Sequence, residues 1–240
     1  MDIEEFRKLM ILYGEKIDIM FTEEQLRQFY KYMELLLEWN KKINLTAITE
    51  PNEVILKHFI DSLTINKYIK ENSSIADVGT GAGFPGIPLK IFRPDLEITL
   101  VDSLNKRINF LNEVISKLDL KNIFTVHSRI EDFGKDKKYR ESFDYVTARA
   151  VANISVLSEY LLPISKIGGQ CVCMKGSNVK DELNEGKNAI NVLGGKVNCI
   201  DEFVLPDSDI SRNIIIIDKV KNTPNRFPRK AGIPAKEPLN

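Results

Sequence analysis

Imidazole and thiol are scarce in this sequence: 240 residues carry two histidines, three cysteines and one tryptophan. With only His58 and His127, the chain offers little conventional acid–base machinery. Cys171, Cys173 and Cys199 are odd in number and show no zinc-ligand spacing, so neither a disulfide framework nor a metal site is expected. Cys171 and Cys173 flank one residue in an apolar stretch, so strand alternation turns both to one face as buried, unreactive core. No apolar run approaches the roughly 20 residues of a membrane helix. The acidic start Met-Asp-Ile-Glu-Glu-Phe has no basic and apolar leader regions, and the expected location is cytoplasmic. An excess of charge is missing too: 34 basic residues balance 34 acidic ones. The one local imbalance runs from Lys221 to Lys236, where Lys221, Arg226, Arg229, Lys230 and Lys236 have no acidic neighbour, as suits a polyanion contact.

What is present begins with helix signals. Thr22-Glu23-Glu24-Gln25 has the capping-box pattern, flanked by Phe21 and Leu26 as a hydrophobic staple. Leu26, Phe29, Met33 and Leu36 continue at helical spacing, and the helix should end near Trp39 and Asn40. Pro51 precedes a further helical segment over 58–68. From Ser74 the period changes. Strands are expected over 75–78, 97–102, 123–126, 143–147 and 170–174, the last following a turn at Gly168-Gly169. Helices alternate with them, over 104–118, near Glu131, up to Leu161 before Pro163, and over 179–193. Two final strands, 196–204 and 213–220, are joined without a helix and so should pair antiparallel. This alternation implies an α/β, Rossmann-like, mostly parallel seven-stranded sheet covered on both faces, with an antiparallel last strand. The expected organisation is a helical cap over 1–70, an α/β domain over 71–220 and an irregular basic tail over 221–240.

Directly after the first strand comes Asp77-Val78-Gly79-Thr80-Gly81-Ala82-Gly83. Glycines permit a tight turn and close approach of backbone to a ligand, at the strand edge where open α/β sheets bind nucleotides. Gly81 to Gly86 formally matches G-x-G-x-x-G, a weak dinucleotide signal when it stands alone. The match starts two residues late, and Pro85 and Pro88 crowd the helix start where a pyrophosphate needs N–H donors. Asp77 before the glycines suits a cationic aminoacyl group, as in S-adenosylmethionine. Asp102, at the end of the second strand, is placed for a ribose diol. The pattern Asp-x-Gly-x-Gly-x-Gly resembles the methyltransferase signature.

The resemblance then sharpens. WNKKINLT (39–46), HFIDSL (58–63), DVGTGAGFPGIPL (77–89), TARAVA (147–152), MKG (174–176) and FPRKAGIP (227–234) occur in the order seen in one family. Over 39–239 the chain resembles the bacterial glucose-inhibited division protein B (GidB, or RsmG) family, the 16S rRNA guanine-N7 methyltransferases. The resemblance implies a class I S-adenosylmethionine-dependent fold with a helical N-terminal cap. It implies methyl transfer to N7 of a guanine in the 530 loop of 16S rRNA, on the 30S subunit or its precursor, with no DNA or membrane partner. By position it assigns cofactor contact to Gly79, Phe84, Ile130, Glu131 and Arg149. Asp77, Gly81, Gly83 and Asp102 join them from the loop argument. Ile130 departs from the small residue usual in the family, and Phe227 stands where tyrosine is common.

Guanine N7 carries a lone pair and no proton, so the reaction requires alignment and desolvation and no general base. Pyrimidine C5 chemistry would need a cysteine nucleophile in a loop, and Cys171 and Cys173 read as strand. Exocyclic-amine enzymes usually carry Asp/Asn-Pro-Pro-aromatic after the fourth strand, where this chain has Ala148-Arg149-Ala150-Val151. Phe84 and Arg149 are candidates to stack on a purine. Lys175, Arg226, Arg229, Lys230 and Lys236 are expected on the RNA phosphates. His58 and Asp61 share a helix face and are expected to seat the cap on the sheet. Trp39 reads as core, and Asn44 and Thr46 as local turn residues. The competing readings are a methyltransferase acting on a protein or small molecule, an NAD-dependent oxidoreductase, and a binding module without turnover.

Overall fold

Local chemistry sets the N-terminal third of the computed structural model, which describes residues 1–176 and 179–239. Helix α1 (Ile3–Glu15) starts where Asp2 accepts the Glu5 N–H. Helix α2 (Glu23–Asn40) opens on the full capping box of Thr22 and Gln25. Such a box satisfies two backbone groups that a helix start otherwise leaves to water. Then α3 (Pro51–Val54) runs through a π-helical stretch (Ile55–Ile60) into α4 (Asp61–Leu63). This segment begins at Pro51, earlier than periodicity alone places it, because proline's fixed φ suits the first helical turn.

The remaining elements alternate: β1 (Ser74–Val78), α5 (Gly86–Phe92), β2 (Glu97–Asp102), α6 (Asn105–Lys117), β3 (Ile123–His127) and α7 (Ile130–Phe133). They continue as β4 (Phe143–Arg149), α8 (Ile154–Leu161), β5 (Ser165–Lys175), α9 (Val179–Val192), β6 (Gly195–Val204), β7 (Ser211–Lys219) and α10 (Ile233–Lys236). The seven strands form one sheet in the order β3-β2-β1-β4-β5-β7-β6. β7 lies antiparallel between β5 and β6, and the pairs from β3 across to β5 are parallel. The expected α/β sheet with an antiparallel last strand is therefore present. One boundary differs: Gly168 and Gly169 lie inside β5, where the pairing with β4 shifts register between Phe143 and Tyr145. A glycine pair in a strand marks an irregularity as readily as a turn.

Alternation on the strands feeds two cores. Ile75, Ile98 and Leu100 face the cap with Phe6, Phe29, Tyr32 and Phe59, and α5 and α6 complete that layer. Ala76, Val78 and Val146 face the other way, with Ile154, Leu161 and Ile190 of α8 and α9. Cys171 and Cys173 are buried in this second core, as their spacing implies, and burial pushes Cys173 up to about 12. Among the described residues no helix is long and apolar enough to cross a membrane.

Candidate active site

Strand order reverses between β1 and β4, which leaves a crevice beyond their carboxyl ends, where open α/β sheets bind ligands. A cavity of about 780 Å³ occupies it. Gly79, Gly81, Phe84, Asp102, Ile130, Glu131 and Arg149 line it, so seven of the nine residues expected at the cofactor meet there. Gly79 (φ +69°) and Gly81 (φ +62°) adopt the left-handed backbone that glycine favours. A Cβ on Gly79 would come within 2.9 Å of Val151, whereas one on Gly81 would meet nothing within 4 Å. The backbone at Gly81 thus borders open space.

The other two expected residues act beneath the loop. The Asp77 carboxylate is fully buried; its Oδ2 accepts the Thr80 hydroxyl (2.6 Å) and the Gly86 N–H (2.8 Å). Oδ1 has no partner among the described residues, and burial pushes the carboxyl up to about 6. Asp77 therefore shapes the loop from below and does not line the cavity. Gly83 packs inward, where a Cβ would lie 2.5 Å from Ile87 and 2.9 Å from the Tyr32 hydroxyl. Tyr32 itself donates to the Ala82 carbonyl, so the cap grips the glycine loop directly. Asp102 is held by the Gly81 N–H (3.0 Å), the Leu104 N–H (2.9 Å) and Arg107 (3.2 Å).

Arg149 joins the cap to β4. Its guanidinium donates to the Lys57 carbonyl (3.0 Å), Asp61 (3.3 Å) and His58 Nδ1 (3.0 Å). The carbonyl and imidazole belong to the π-helical stretch, a distortion common at functional sites. Arg212 of β7 donates to the other Asp61 oxygen (3.1 Å), so one carboxylate ties the cap to two strands. Burial raises the Asp61 carboxyl, against the pull of Arg149 and Arg212. The His58 ring stacks on Phe84 at 4.4 Å, and Arg149 lies over the same ring at 4.8 Å. Because an arginine only donates, His58 Nδ1 accepts, and Nε2–H faces the Thr46 hydroxyl at 2.8 Å. Burial and the Arg149 charge lower His58 to about 3, so the ring is neutral near pH 7. His58 and Asp61 seat the cap on the sheet as expected.

Thr46 keeps its expected local role, its Oγ1 accepting the Ile48 N–H (3.0 Å), and also reaches His58. Further turn bonds come from Asn40, whose Oδ1 accepts the N–H groups of Leu45 (2.8 Å) and Thr46 (3.0 Å). Trp39 packs on Phe110 (5.7 Å), in keeping with a core role. His127 meets the Ser103 carbonyl (3.0 Å).

The tail is more ordered than its composition suggests. Arg140 donates to the carbonyls of Thr223 and Phe227, both at 2.7 Å. Arg229 pairs through Nη2 (2.7 Å) and Nε (3.0 and 3.1 Å) with Glu159, a fully buried carboxylate on α8. The Gly232 N–H donates to Glu131 at 2.8 Å. These anchors draw the tail across the opening as a strap, and Gly232, Ala235 and Pro238 become part of the cavity wall. Irregular loop persists between the anchors, except for α10. Arg229 is therefore an internal anchor, a correction to its expected phosphate role. Lys175 is also engaged, with Glu182 (2.6 Å) and the Ala152 carbonyl (2.9 Å). Arg226, Lys230 and Lys236 are exposed on the strap. Tyr32, Arg107, Asn40 and the strap contacts lay beyond the sequence reading. The apolar stripe Leu26, Phe29, Met33 and Leu36 already implied that α2 carries a buried face.

Comparison with known proteins agrees with this geometry. The family described as GidB, rRNA small subunit methyltransferase G, matches residues 25–214. The ribosomal RNA small subunit methyltransferase G of Desulforamulus reducens is 55% identical over 228 residues, covering 94% of this chain and 95% of its own. The protein of the same name from Clostridium perfringens is 52% identical over 227 residues, covering 94% of this chain and 95% of its own. Among solved structures, a SAM-dependent methyltransferase from Aquifex aeolicus matches with a TM-score of 0.52 at 18% identity. That likeness covers 75% of this chain and 97% of the other, and it speaks for the fold.

Proposed function

As this chain belongs to the GidB family of ribosomal RNA small subunit methyltransferases, we propose that it transfers a methyl group from S-adenosylmethionine to N7 of a guanine in the 530 loop of 16S rRNA. The coarser activity, S-adenosylmethionine-dependent methylation of small-subunit rRNA, follows from the family itself. The choice of atom is supported by one observation: among the described residues, the one imidazole at the cavity is not available as a base. The His58 Nδ1 lone pair is occupied by Arg149, and the ring is lowered to about 3. Of the carboxylates, Asp102 accepts from Gly81, Leu104 and Arg107, and Glu131 accepts the Gly232 N–H through Oε1. A purine N7 has a lone pair and no proton to lose, so it alkylates without such help. An exocyclic amine must shed one.

The cavity fits the cofactor. It lies within the roughly 300–1,000 Å³ typical of small-molecule sites, and the Gly81 backbone faces open volume in it. When bound, S-adenosylmethionine supplies an electrophilic methyl on a positively charged sulfur. Gly79 and Gly81 offer backbone approach, while Asp102 and Glu131 offer carboxylates to ribose hydroxyls. Ile130 gives an apolar wall. Asp77 and Gly83 serve by holding the loop. Arg149, Phe84 and His58 form one stacked unit that excludes water beside the reacting region. Alignment and desolvation of this kind can contribute on the order of 7 kcal/mol to barrier lowering.

Arg226, Lys230 and Lys236 would meet RNA phosphates, adding affinity that falls with salt. The substrate is the 30S subunit or its precursor, and the site of action is the cytoplasm. Incubation of the protein with methyl-labelled cofactor and unmodified 30S subunits tests the reading. Reduction and aniline cleavage should then cut at one labelled 7-methylguanine in the 530 loop. Label on an exocyclic amine or a ribose would refute the N7 assignment.

A further inference from the structure

Beside the large cavity lies a second one, of about 340 Å³, and the two share a wall built from His58, Arg149 and Ala150. The first spans the carboxyl ends of β1 and β2, with the start of α7. The second lies across the ends of β4 and β5 and the antiparallel start of β7, roofed by Asp61 of the cap. We infer that this second cavity receives the acceptor base, a guanine turned out of the RNA with its N7 edge toward the shared wall. The inference rests on the proposed N7 reaction and says where in the molecule the base sits.

Chemistry and size both support this. Ligand pockets pair apolar faces with a few fixed polar groups, and this volume is at the small end of their range. Met174 and Ile214 are register partners on β5 and β7, and Ile48 and Phe203 complete an apolar lining. Thioether and aromatic surfaces suit the faces of a purine. The polar groups match guanine's edges. Arg149 stands in the shared wall and supplies a donor for O6, the acceptor next to N7. Asn213 is buried, and its Nδ2 is committed to the Gly176 carbonyl at 2.7 Å. That bond leaves Oδ1 as the accepting end, suited to N1–H or the exocyclic amine on guanine's far edge. Adenine offers no donor at N1 and would lose that bond. Arg212, fixed through Asp61, adds positive charge for the phosphate that must follow the base.

The shared wall also permits transfer. Ala150 contributes only a methyl group there, and its φ of +55° is a backbone state uncommon outside glycine and asparagine. Strained backbone of this sort is found at functional sites, where the surrounding structure holds it.

Photocrosslinking of the full chain, with adenosylhomocysteine present, to 16S rRNA carrying 6-thioguanosine tests the inference. Mass spectrometry should place the crosslink on the peptides that contain Met174, Phe203 or Asn213. In parallel, Ile48→Trp, on a loop at the cavity, should lower kcat/KM for 16S rRNA at least 100-fold. Its Kd for adenosylhomocysteine should stay within twofold of wild type, which also shows that the variant is folded. Asn213→Ala should relax the preference for guanosine over adenosine at the target position, since adenine offers neither donor on that edge. Crosslinks that map away from this cavity, or full methylation by Ile48→Trp, would overturn the inference. Label found at another atom, with the crosslink still in this cavity, would refute the N7 reading and leave the cavity as acceptor site.

Discussion

The helical cap and the C-terminal strap both border the main cavity, and they are held by different balances of force. The cap joins the sheet through a continuous aromatic layer: Phe59 packs on Phe6, Phe29, Tyr32 and Phe84 at centroid distances of 5.1–6.4 Å. The strap is held mainly by polar points, Arg140 on two carbonyls, Glu159 on Arg229 and Glu131 on Gly232, with Phe227 as its one ring in the second core. Apolar burial is spread over many atoms and tolerates the loss of one contact, whereas a polar anchor fails when a single partner goes. The cap therefore carries global stability. The strap completes the wall of the cavity.

The sharpest way to break this contrast is in the aromatic layer. Phe59→Ala should cost about 3–5 kcal/mol in global unfolding by denaturant, the usual range for a buried phenylalanine. A loss under 1 kcal/mol would mean that the cap is only loosely joined. Arg229→Ala comes next. It leaves the Glu159 carboxylate buried without its partner, at a cost of about 2 kcal/mol once the partial exposure of Arg229 is allowed for. The damage should be local: faster proteolysis near residues 224–239 and a roughly tenfold weaker Kd for adenosylhomocysteine. An equal fall in global stability and no change in Kd would erase the distinction between cap and strap.

Lys230→Glu with Lys236→Glu should leave unfolding within about 0.5 kcal/mol, as surface changes usually do. RNA affinity should weaken and the salt slope of binding should flatten, which filter binding at several salt concentrations would reveal. The smallest expected effect is in pH dependence. His58 titrates near 3 in the folded chain, against an ordinary 6.5, so the unfolded chain binds the proton first as pH falls. The stability held above about 6.5 is lost progressively between there and 3. Asp77, raised to about 6 from 3.8, works the other way over its own window. Melting temperatures of wild type and His58→Asn between pH 7 and pH 4.5 isolate the histidine share. The variant should show the shallower decline.

The same contrast explains what the sequence made legible. Alternation and capping are local, so α2, β2 and the antiparallel pairing of β7 with β6 could be read directly from spacing. The glycine loop was legible because φ > 0 beside a strand end has few other uses. The strap was not. Arg229 and Glu159 are 70 residues apart, and a run of basic residues without acidic neighbours looks the same whether it faces phosphate or a buried carboxylate. Asp77 was visible as a carboxylate at the right place. Its bonds to Thr80 and Gly86, however, depend on how the loop closes, which spacing does not encode. Gly168-Gly169 read as a turn because only pairing with β4 reveals a strand irregularity.

Titration calorimetry with adenosylhomocysteine probes the space between the glycine loop and the strap most directly. Wild type should bind one molecule per chain. Gly81→Ala, whose added methyl group points into open volume and whose φ of +62° costs about 1 kcal/mol, should stay folded and bind at least 100-fold more weakly. Equal affinity in the two proteins, or no heat from wild type, would show that the cofactor is not held there.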